Sequence, residues 1–292
     1  MIPILMALAA AQAAPAAPAA PAAPAAPAPA DAAETRYRAC AALARSDPNR
    51  AIETAETWQR EGGSLQARQC LGLAYVALEM WGPAATAFEQ AAQEAERAQD
   101  ARRPDLLVQA GNAWLAVEET ANAIRAFEAA LATNQLSEAM RGEVHLDRAR
   151  ARVSLDDAAG ARADVDQALQ LVAADPFAWY MSAALARRQN DLARARADIE
   201  RAMQLGPDNP DILLLGGTLA GLAGNMTEAE RLYRRVAEVA PDTPAGQAAR
   251  ASLATLREVE VPAATAAAPA PATPRTPAPT GQTPAAPSPQ SR

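Results

Sequence analysis

The sequence predicts an all-α fold in which pairs of helices repeat along the chain. Half of its 292 residues are hydrophobic, yet only 4% are aromatic. Alanine, leucine, glutamate, glutamine and arginine, which favour helices, dominate residues 34–258. A β-sheet fold would need more β-branched and aromatic residues. Proline-containing turns also recur at a fixed interval in the later half of the chain, which indicates a repeat.

The amino-terminal residues are typical of an export signal. A short apolar run, residues 2–11, leads into Ala11-Gln12-Ala13, a small-residue pattern that resembles a cleavage site. We therefore predict a signal peptide over residues 1–13 and a periplasmic or secreted location. Retention in the cytoplasm is the alternative. The apolar run is shorter than the roughly 20 residues that cross a bilayer, so we expect no integral membrane anchor.

Two segments have the composition of disordered chain. Residues 14–33 repeat Ala-Ala-Pro, and residues 259–292 are rich in proline, alanine and threonine. Proline prevents helix formation, and so few large apolar side chains bury too little surface to offset the entropy of ordering. We expect a disordered linker and a disordered tail. Residues 34–258 remain for the folded part, about six helix pairs and a carboxy-terminal capping helix.

Glycine and proline mark the ends of the predicted helices, which should be about 12 to 16 residues long. The predicted breaks are Asp47-Pro48, Gly62-Gly63, Gly82-Pro83, Pro104, Asp175-Pro176, Gly206-Pro207, Pro210, Pro241 and Pro244. The turns that begin at Pro207 and at Pro241 are 34 residues apart.

Small and large residues recur in the same register. An alanine in the second helix of each pair repeats at intervals of 33, 39, 38, 34 and 34 residues, at Ala51, Ala84, Ala123, Ala161, Ala195 and Ala229. A larger residue follows four positions later in most pairs, as at Phe88 and Phe127, and the first helix carries a small residue such as Gly72 or Gly111. Small residues let the two helices approach closely, and the large side chain fills the remaining space.

These residues resemble the motif of the tetratricopeptide repeat family. The clearest matches are Leu71-Gly72-x-x-Tyr75 with Ala84-x-x-x-Phe88, and Gly111-x-x-Trp114 with Ala123-x-x-x-Phe127. The resemblance covers about residues 36–240. It implies a right-handed superhelical solenoid of antiparallel helix pairs, whose first helices line a concave face. It also implies that this face holds a peptide or a partner helix.

The register assigns candidate groove residues to the first helices: Gln69, Asn112, Arg150, Tyr180, Arg187 and Arg188, with Gln66, Leu73, Ala184, Leu214 and Thr218 on the same face. Tyr180, Arg187 and Arg188 form the most interface-like group, since aromatic residues and arginine contribute much of the binding energy at interfaces. Solvated arginines beside a half-buried tyrosine are the alternative interpretation.

We expect no catalytic residue, metal site or cofactor. The only histidine, His145, has no local partner for a nucleophile system, so we expect it to be structural. A net charge of −7 argues against nucleic-acid binding. Cys40 and Cys70 lie on neighbouring first helices, where they could form a disulfide in an exported protein or remain buried thiols in the cytosol.

The sequence therefore favours a non-catalytic protein–protein interaction scaffold. One alternative is a structural subunit of a cell-envelope assembly that docks through its convex face. An enzyme or a small-ligand receptor is a third possibility, and the missing nucleophile arrangement argues against it.

Overall fold

The computed structural model describes residues 29–63 and 65–265, and all regular secondary structure in them is helical. The helices are α1 (Pro29–Ser46), α2 (Pro48–Arg60), α3 (Leu65–Ala77), α4 (Trp81–Ala98), α5 (Arg103–Ala116), α6 (Thr120–Leu131), α7 (Glu138–Ser154), α8 (Ala158–Leu171), α9 (Pro176–Arg188), α10 (Leu192–Leu205), α11 (Pro210–Leu222), α12 (Met226–Val239) and α13 (Pro244–Thr265). The predicted all-α helical-repeat fold is confirmed.

The first and last helices extend beyond the limits expected from composition. α1 begins at Pro29, within the predicted linker, because proline is well tolerated in the first turn and residues 30–33 are mostly alanine. α13 continues to Thr265, within the predicted tail. The predicted signal peptide, residues 14–28 of the linker and residues 266–292 of the tail lie outside the described residues.

The helices form two compact units. The first unit ends at Ser137 and contains α1 to α6, in which α1 packs on both α2 and α3, and each later helix packs on the next. The second unit begins at Glu138, and α7 to α13 follow the same order of packing. In the second unit α13 covers the last pair, since its Ala245 and Ala249 are buried beside Leu232 and Val236 of α12.

The turn within each helix pair has a recurring geometry. Five of the first helices are followed by a residue with positive φ: Glu79, Glu118, Asp156, Asn190 and Gly224. The next backbone amide donates to the carbonyl five residues earlier, as from Asn225 to Ala220 at 2.9 Å. The side chains of Asp157, Asp191 and Asn225 then accept from amides in the first turn of the second helix. The same backbone path therefore reverses the chain in each of these pairs.

The core of three pairs depends on a glycine in the first helix that faces an aromatic ring in the second. These pairs are Gly72 with Phe88, Gly111 with Phe127, and Gly217 with Tyr233. A Cβ atom on Gly72 or Gly111 would lie 2.5 Å from a ring carbon, and one on Gly217 would lie 2.6 Å away. The rings are almost fully buried. Only glycine leaves room for a ring at this position.

Two pairs in the second unit use a different combination at the same positions. The first-helix residue is alanine, at Ala149 and Ala183, and the second-helix residue is aliphatic, at Val165 and Ile199. All four side chains are buried. A smaller partner in the second helix thus accompanies a larger residue in the first, so the space between the helices stays filled. The packing inferred from the repeat is present in the structure.

No helix within residues 29–63 and 65–265 combines the length and the apolar character that a bilayer-crossing segment requires.

Gly111→Ala should lower the free energy of unfolding by about 1 to 3 kcal/mol, because the added methyl group overlaps the Phe127 ring. Phe127→Val should cost about 2 to 4 kcal/mol through the cavity that it leaves. The double variant recreates the Ala149–Val165 combination and should lose about 1 kcal/mol less than the sum of the two losses. Urea unfolding measures each value.

Gly82→Ala is the control, because nothing lies within 4 Å of a Cβ atom at Gly82. It should not lower stability. Additive losses in the double variant would contradict the proposed coupling of the two residues.

Candidate binding site

A surface pocket of about 510 Å³ lies between two first helices of the second unit, α7 and α9. It is lined by Arg150, Val153, Met181, Ala184, Leu185, Arg187 and Arg188. Arg150 and Ala184 are 34 residues apart, and so are Val153 and Arg187. The pocket is therefore built from equivalent positions of successive repeats.

The wall of the pocket is apolar. Val153, Met181 and Ala184 are half-buried, and Leu185 is buried. On α9, Met181, Ala184, Leu185 and Arg188 follow the spacing of one helix face, and Arg187 lies three positions after Ala184. Ala184 occupies the position that Arg150 holds on α7, and its short side chain leaves open space above the helix. Val153, Met181 and Leu185 are not among the groove residues predicted from the sequence.

Three arginines surround this apolar wall. Nη1 of Arg150 lies 3.3 Å from a carboxylate oxygen of Asp147, and Arg188 donates to Asp156. Arg187 is exposed and has no ion pair among the residues that the structure describes. No carboxylate belongs to the lining of the pocket. The pocket is thus positively charged, although the whole chain has a net charge of −7.

The lining side chains can bind groups but cannot move protons. Arginine stays protonated at every pH at which proteins are folded, and the other lining residues carry no titratable group. The pocket therefore contains no general acid, general base or nucleophile of its own. Its chemistry is suited to holding an anionic group beside an apolar one.

Tyr180 lies on α9 but does not line the pocket. Its ring stacks on that of Phe177, with ring centroids 5.8 Å apart, and it packs against the cluster that contains Ile212 of α11. Burial raises the pKa of Tyr180, and the negative charge of Asp211 raises it further, while Arg187 opposes both. The predicted group of Tyr180 with two arginines is therefore divided, and Arg150 takes the place of the tyrosine.

The two candidates of the first unit differ in exposure. Asn112 is exposed on α5. Gln69 is buried, 7% exposed, and its Oε1 atom has no hydrogen-bond partner among residues 29–63 and 65–265. Gln69 is thus enclosed in the structure, whereas Asn112 is open to solvent.

The contact between α1 and α3 also contains both cysteines. Cys40 and Cys70 are buried beside Ala55, with their Cα atoms 6.0 Å apart. This separation lies within the range that a disulfide spans, and the sulfur atoms are within bonding distance.

A second pocket of the second unit, of about 520 Å³, lies between the second helices α10 and α12. Its lining includes Met203, Leu213 and Leu232 together with two arginines. Here the charges are balanced, because Arg231 pairs with Glu228 at 2.6 Å and Arg235 pairs with Asp208 at 2.8 Å. Unlike the pocket between α7 and α9, it has no excess of positive charge.

Residues 186–253 match the sequence model of the tetratricopeptide repeat family, from the end of α9 into α13. This match agrees with the paired helices and with the complementary small and large residues in their contacts. Residues 186–253 therefore belong to the tetratricopeptide repeat family. A comparison with curated proteins finds no matching sequence.

Solved structures share the fold of the chain. PilW, described as a widely conserved type IV pilus biogenesis factor, is 17% identical with a TM-score of 0.61, over 74% of this chain and 97% of PilW. PilF from Pseudomonas aeruginosa is 18% identical with a TM-score of 0.58, over 76% of this chain and 99% of PilF. At these identities the likeness concerns the fold.

His145 belongs to a buried polar cluster between α7 and α8. Its Nδ1 atom lies 2.8 Å from Oδ1 of Asp164, which is 2% exposed. Arg148 and Arg152 also donate to this carboxylate, at 2.6 and 2.8 Å. Burial raises the pKa of Asp164, but the hydrogen bonds from His145 and Arg148 and the two arginine charges lower it below the usual value. His145 thus lies in the packing between two helices, away from open solvent.

A similar polar contact occurs one repeat later. Asp198 of α10 lies 34 positions after Asp164, is buried, and accepts from the Ser182 hydroxyl at 2.5 Å. In the last pair the equivalent residues are apolar, and Leu232 lies within 3.4 Å of the place where a Gly216 Cβ atom would be. One packing position is therefore polar in two pairs and apolar in the third.

Asp164→Asn should lower the free energy of unfolding at pH 7 by about 3 to 5 kcal/mol, because it leaves two largely buried arginine side chains without their carboxylate. The pKa of Asp164 is lowered on folding, so its contribution is present above the unfolded pKa and is lost as the pH falls through the folded pKa. The gap between wild type and variant should shrink below about pH 4. Urea unfolding between pH 5 and pH 2.5 measures it.

Asp156→Asn is the control, since Asp156 makes an exposed ion pair that should contribute less than about 1 kcal/mol. A gap for Asp164→Asn that stays constant down to pH 2.5 would contradict the assignment.

Proposed function

We propose that this tetratricopeptide repeat protein is a non-catalytic interaction scaffold that binds a peptide or a partner helix at the pocket between α7 and α9. The observation that carries the proposal is the combination of an apolar wall with three arginines and no carboxylate in the lining. A partner side chain can be buried on the wall while its polar groups are held at the edge.

The expected energies suit a reversible protein contact. Burial of one apolar partner side chain contributes about 1.5 to 3 kcal/mol. A hydrogen bond to a charged arginine contributes about 1.5 to 3 kcal/mol. Both helices are already formed, so binding requires little rearrangement. Because the lining residues carry no acid, base or nucleophile, the pocket supports binding and offers no route to catalysis.

The proposed location of this scaffold is outside the cytoplasm. The signal peptide predicted over residues 1–13 supports export, and the placement of Cys40 and Cys70 supports a disulfide that would form in an oxidising compartment. We propose that in the exported protein residues 14–33 form a linker, residues 34–258 the folded part and residues 259–292 a tail. Helix α1 extends into the linker and helix α13 extends into the tail.

A second candidate function uses the other face of the second unit. The pocket between α10 and α12 has an apolar base of Met203, Leu213 and Leu232 that could receive a protein. The fold shared with PilW supports a part in an envelope assembly that docks through these second helices. The balanced charges of this pocket make it the weaker candidate.

Ala184→Trp should abolish partner binding at the first pocket, because the indole would fill the space above α9. The matched control is Ala197→Trp, an exposed alanine of α10. We expect wild type and the control to enrich the same protein from a cell extract, and Ala184→Trp to reduce its recovery at least tenfold, as quantified by mass spectrometry.

Gln204→Trp, within the pocket between α10 and α12, separates the two candidates. Loss of the partner in this variant, with retention in Ala184→Trp, would replace the first proposal with the second.

The proposed disulfide predicts that the protein from its native compartment has no free thiol. Maleimide labelling after denaturation without reductant should modify neither Cys40 nor Cys70, and both should react after reduction. Reduction, or the double variant Cys40→Ala/Cys70→Ala, should lower the free energy of unfolding by about 3 to 4 kcal/mol, because the bridge closes a loop of 30 residues. Two reactive thiols in the unreduced protein would contradict both the bridge and the oxidising location.

A further inference from the structure

We infer that the partner segment held between α7 and α9 is acidic, with an aliphatic side chain flanked by carboxylates. This inference rests on the proposed function of the pocket and adds the chemistry of the ligand. It depends on three features of the pocket: a cation with no ion-pair partner among the described residues, two further cations that are themselves exposed, and an apolar wall between them.

Arg187 supplies the first feature. It is exposed, and no carboxylate of the described residues pairs with it. Its repeat equivalents are Val153 of α7 and Gly221 of α11, so the repeat itself does not require a cation at this position. Packing does not require it either, because the side chain is open to solvent. An external anion is the partner that would neutralise this charge.

Arg188 and Arg150 supply the second feature. The Arg188 side chain is 54% exposed, and that of its partner Asp156 is 85% exposed. The Arg150 side chain is 55% exposed, and its Nη1 atom lies 3.3 Å from Oδ1 of Asp147. The Arg188–Asp156 pair is exposed on both sides, and exposed ion pairs contribute about 0 to 1 kcal/mol. A ligand carboxylate could therefore replace Asp156 at little cost, and Asp156 shows that the Arg188 guanidinium can hold a carboxylate in this place. The Arg150 guanidinium is exposed enough to contact a ligand carboxylate as well.

The wall between the cations selects the uncharged part of the ligand. Val153, Met181, Ala184 and Leu185 present methyl, methylene and thioether groups. Methionine is unbranched and flexible, so Met181 can adapt to aliphatic side chains of different shape. None of the lining residues is aromatic, whereas single-stranded nucleic acids bind on aromatic stacking surfaces. The chemistry favours an acidic peptide over a nucleic acid or a simple anion.

Selection from a phage library of random 12-residue peptides, with the exported chain immobilised, tests the inference. We expect selected peptides to contain Leu, Ile, Val or Met with Asp or Glu on both sides. For the best synthetic peptide, fluorescence anisotropy should show at least tenfold weaker binding to Arg187→Glu and to Arg150→Glu. Raising the NaCl concentration from 0.05 to 0.5 M should weaken binding to wild type at least fivefold, because salt screens exposed charges.

The matched control is Arg196→Glu, an exposed arginine of α10 that lies outside the pocket. It should bind the peptide within twofold of wild type. A peptide in which lysine replaces one glutamate should bind Arg187→Glu at least fivefold more tightly than the original peptide binds this variant. Such rescue would not occur if Arg187→Glu merely disturbed folding.

The outcomes separate this inference from the proposed function. Neutral or basic peptides whose binding is lost in Ala184→Trp would overturn the acidic ligand and leave the pocket as the binding site. Peptides that bind Ala184→Trp as well as wild type would overturn the proposed site itself. Equal affinity for Arg187→Glu and Arg196→Glu would overturn the role of Arg187, and a selection that yields no peptide would contradict both proposals.

Discussion

The distance between the two helices of a pair is set by steric complementarity between a small residue and the side chain 16 positions later. Where the second helix carries Phe88 or Phe127, the first helix has glycine, and where it carries Val165, the first helix has alanine. Because interiors are packed at nearly the density of crystals, neither partner can change size alone. This constraint repeats along each unit and aligns its first helices. The pocket between α7 and α9 follows from that alignment, since repeat-equivalent positions of the two helices line it.

Most of this architecture can be predicted from the sequence, because steric complementarity makes small and large residues recur at regular intervals. Recurring alanines such as Ala84 and Ala123 fix the register of the second helices, and the prolines fix several turns. The turns inside the pairs were harder to predict. Four of the five left-handed residues there are Glu, Asp or Asn, among them Glu118, and these side chains do not mark such a backbone as clearly as glycine does. Helix ends in alanine-rich segments were also underestimated, because alanine continues a helix wherever proline permits.

The candidate site was predictable in part for a related reason. Side chains on a helix point in directions fixed by the register, so Arg150, Arg187 and Arg188 could be assigned to one face, and the structure brings them to one pocket. Tyr180 and Gln69 differ because they are enclosed: Tyr180 packs against the cluster that contains α11 residues, and Gln69 is buried. Burial by another helix depends on contacts that one helix period does not encode. Val153 could have been found, since it is the repeat equivalent of Arg187.

The alternation of polar and apolar contacts at one packing position has a consequence for how the chain reaches its native order. Repeats that are alike can pair with the wrong neighbour while they fold. In the second unit, an exchange that paired α11 with α8 in place of α12 would put the Asp164 carboxylate opposite Gly216, which has no side chain to donate a hydrogen bond. Burying a carboxylate without a hydrogen-bond partner costs free energy and destabilises such an arrangement. The difference between polar and apolar contacts at this position therefore disfavours pairing between helices of different repeats.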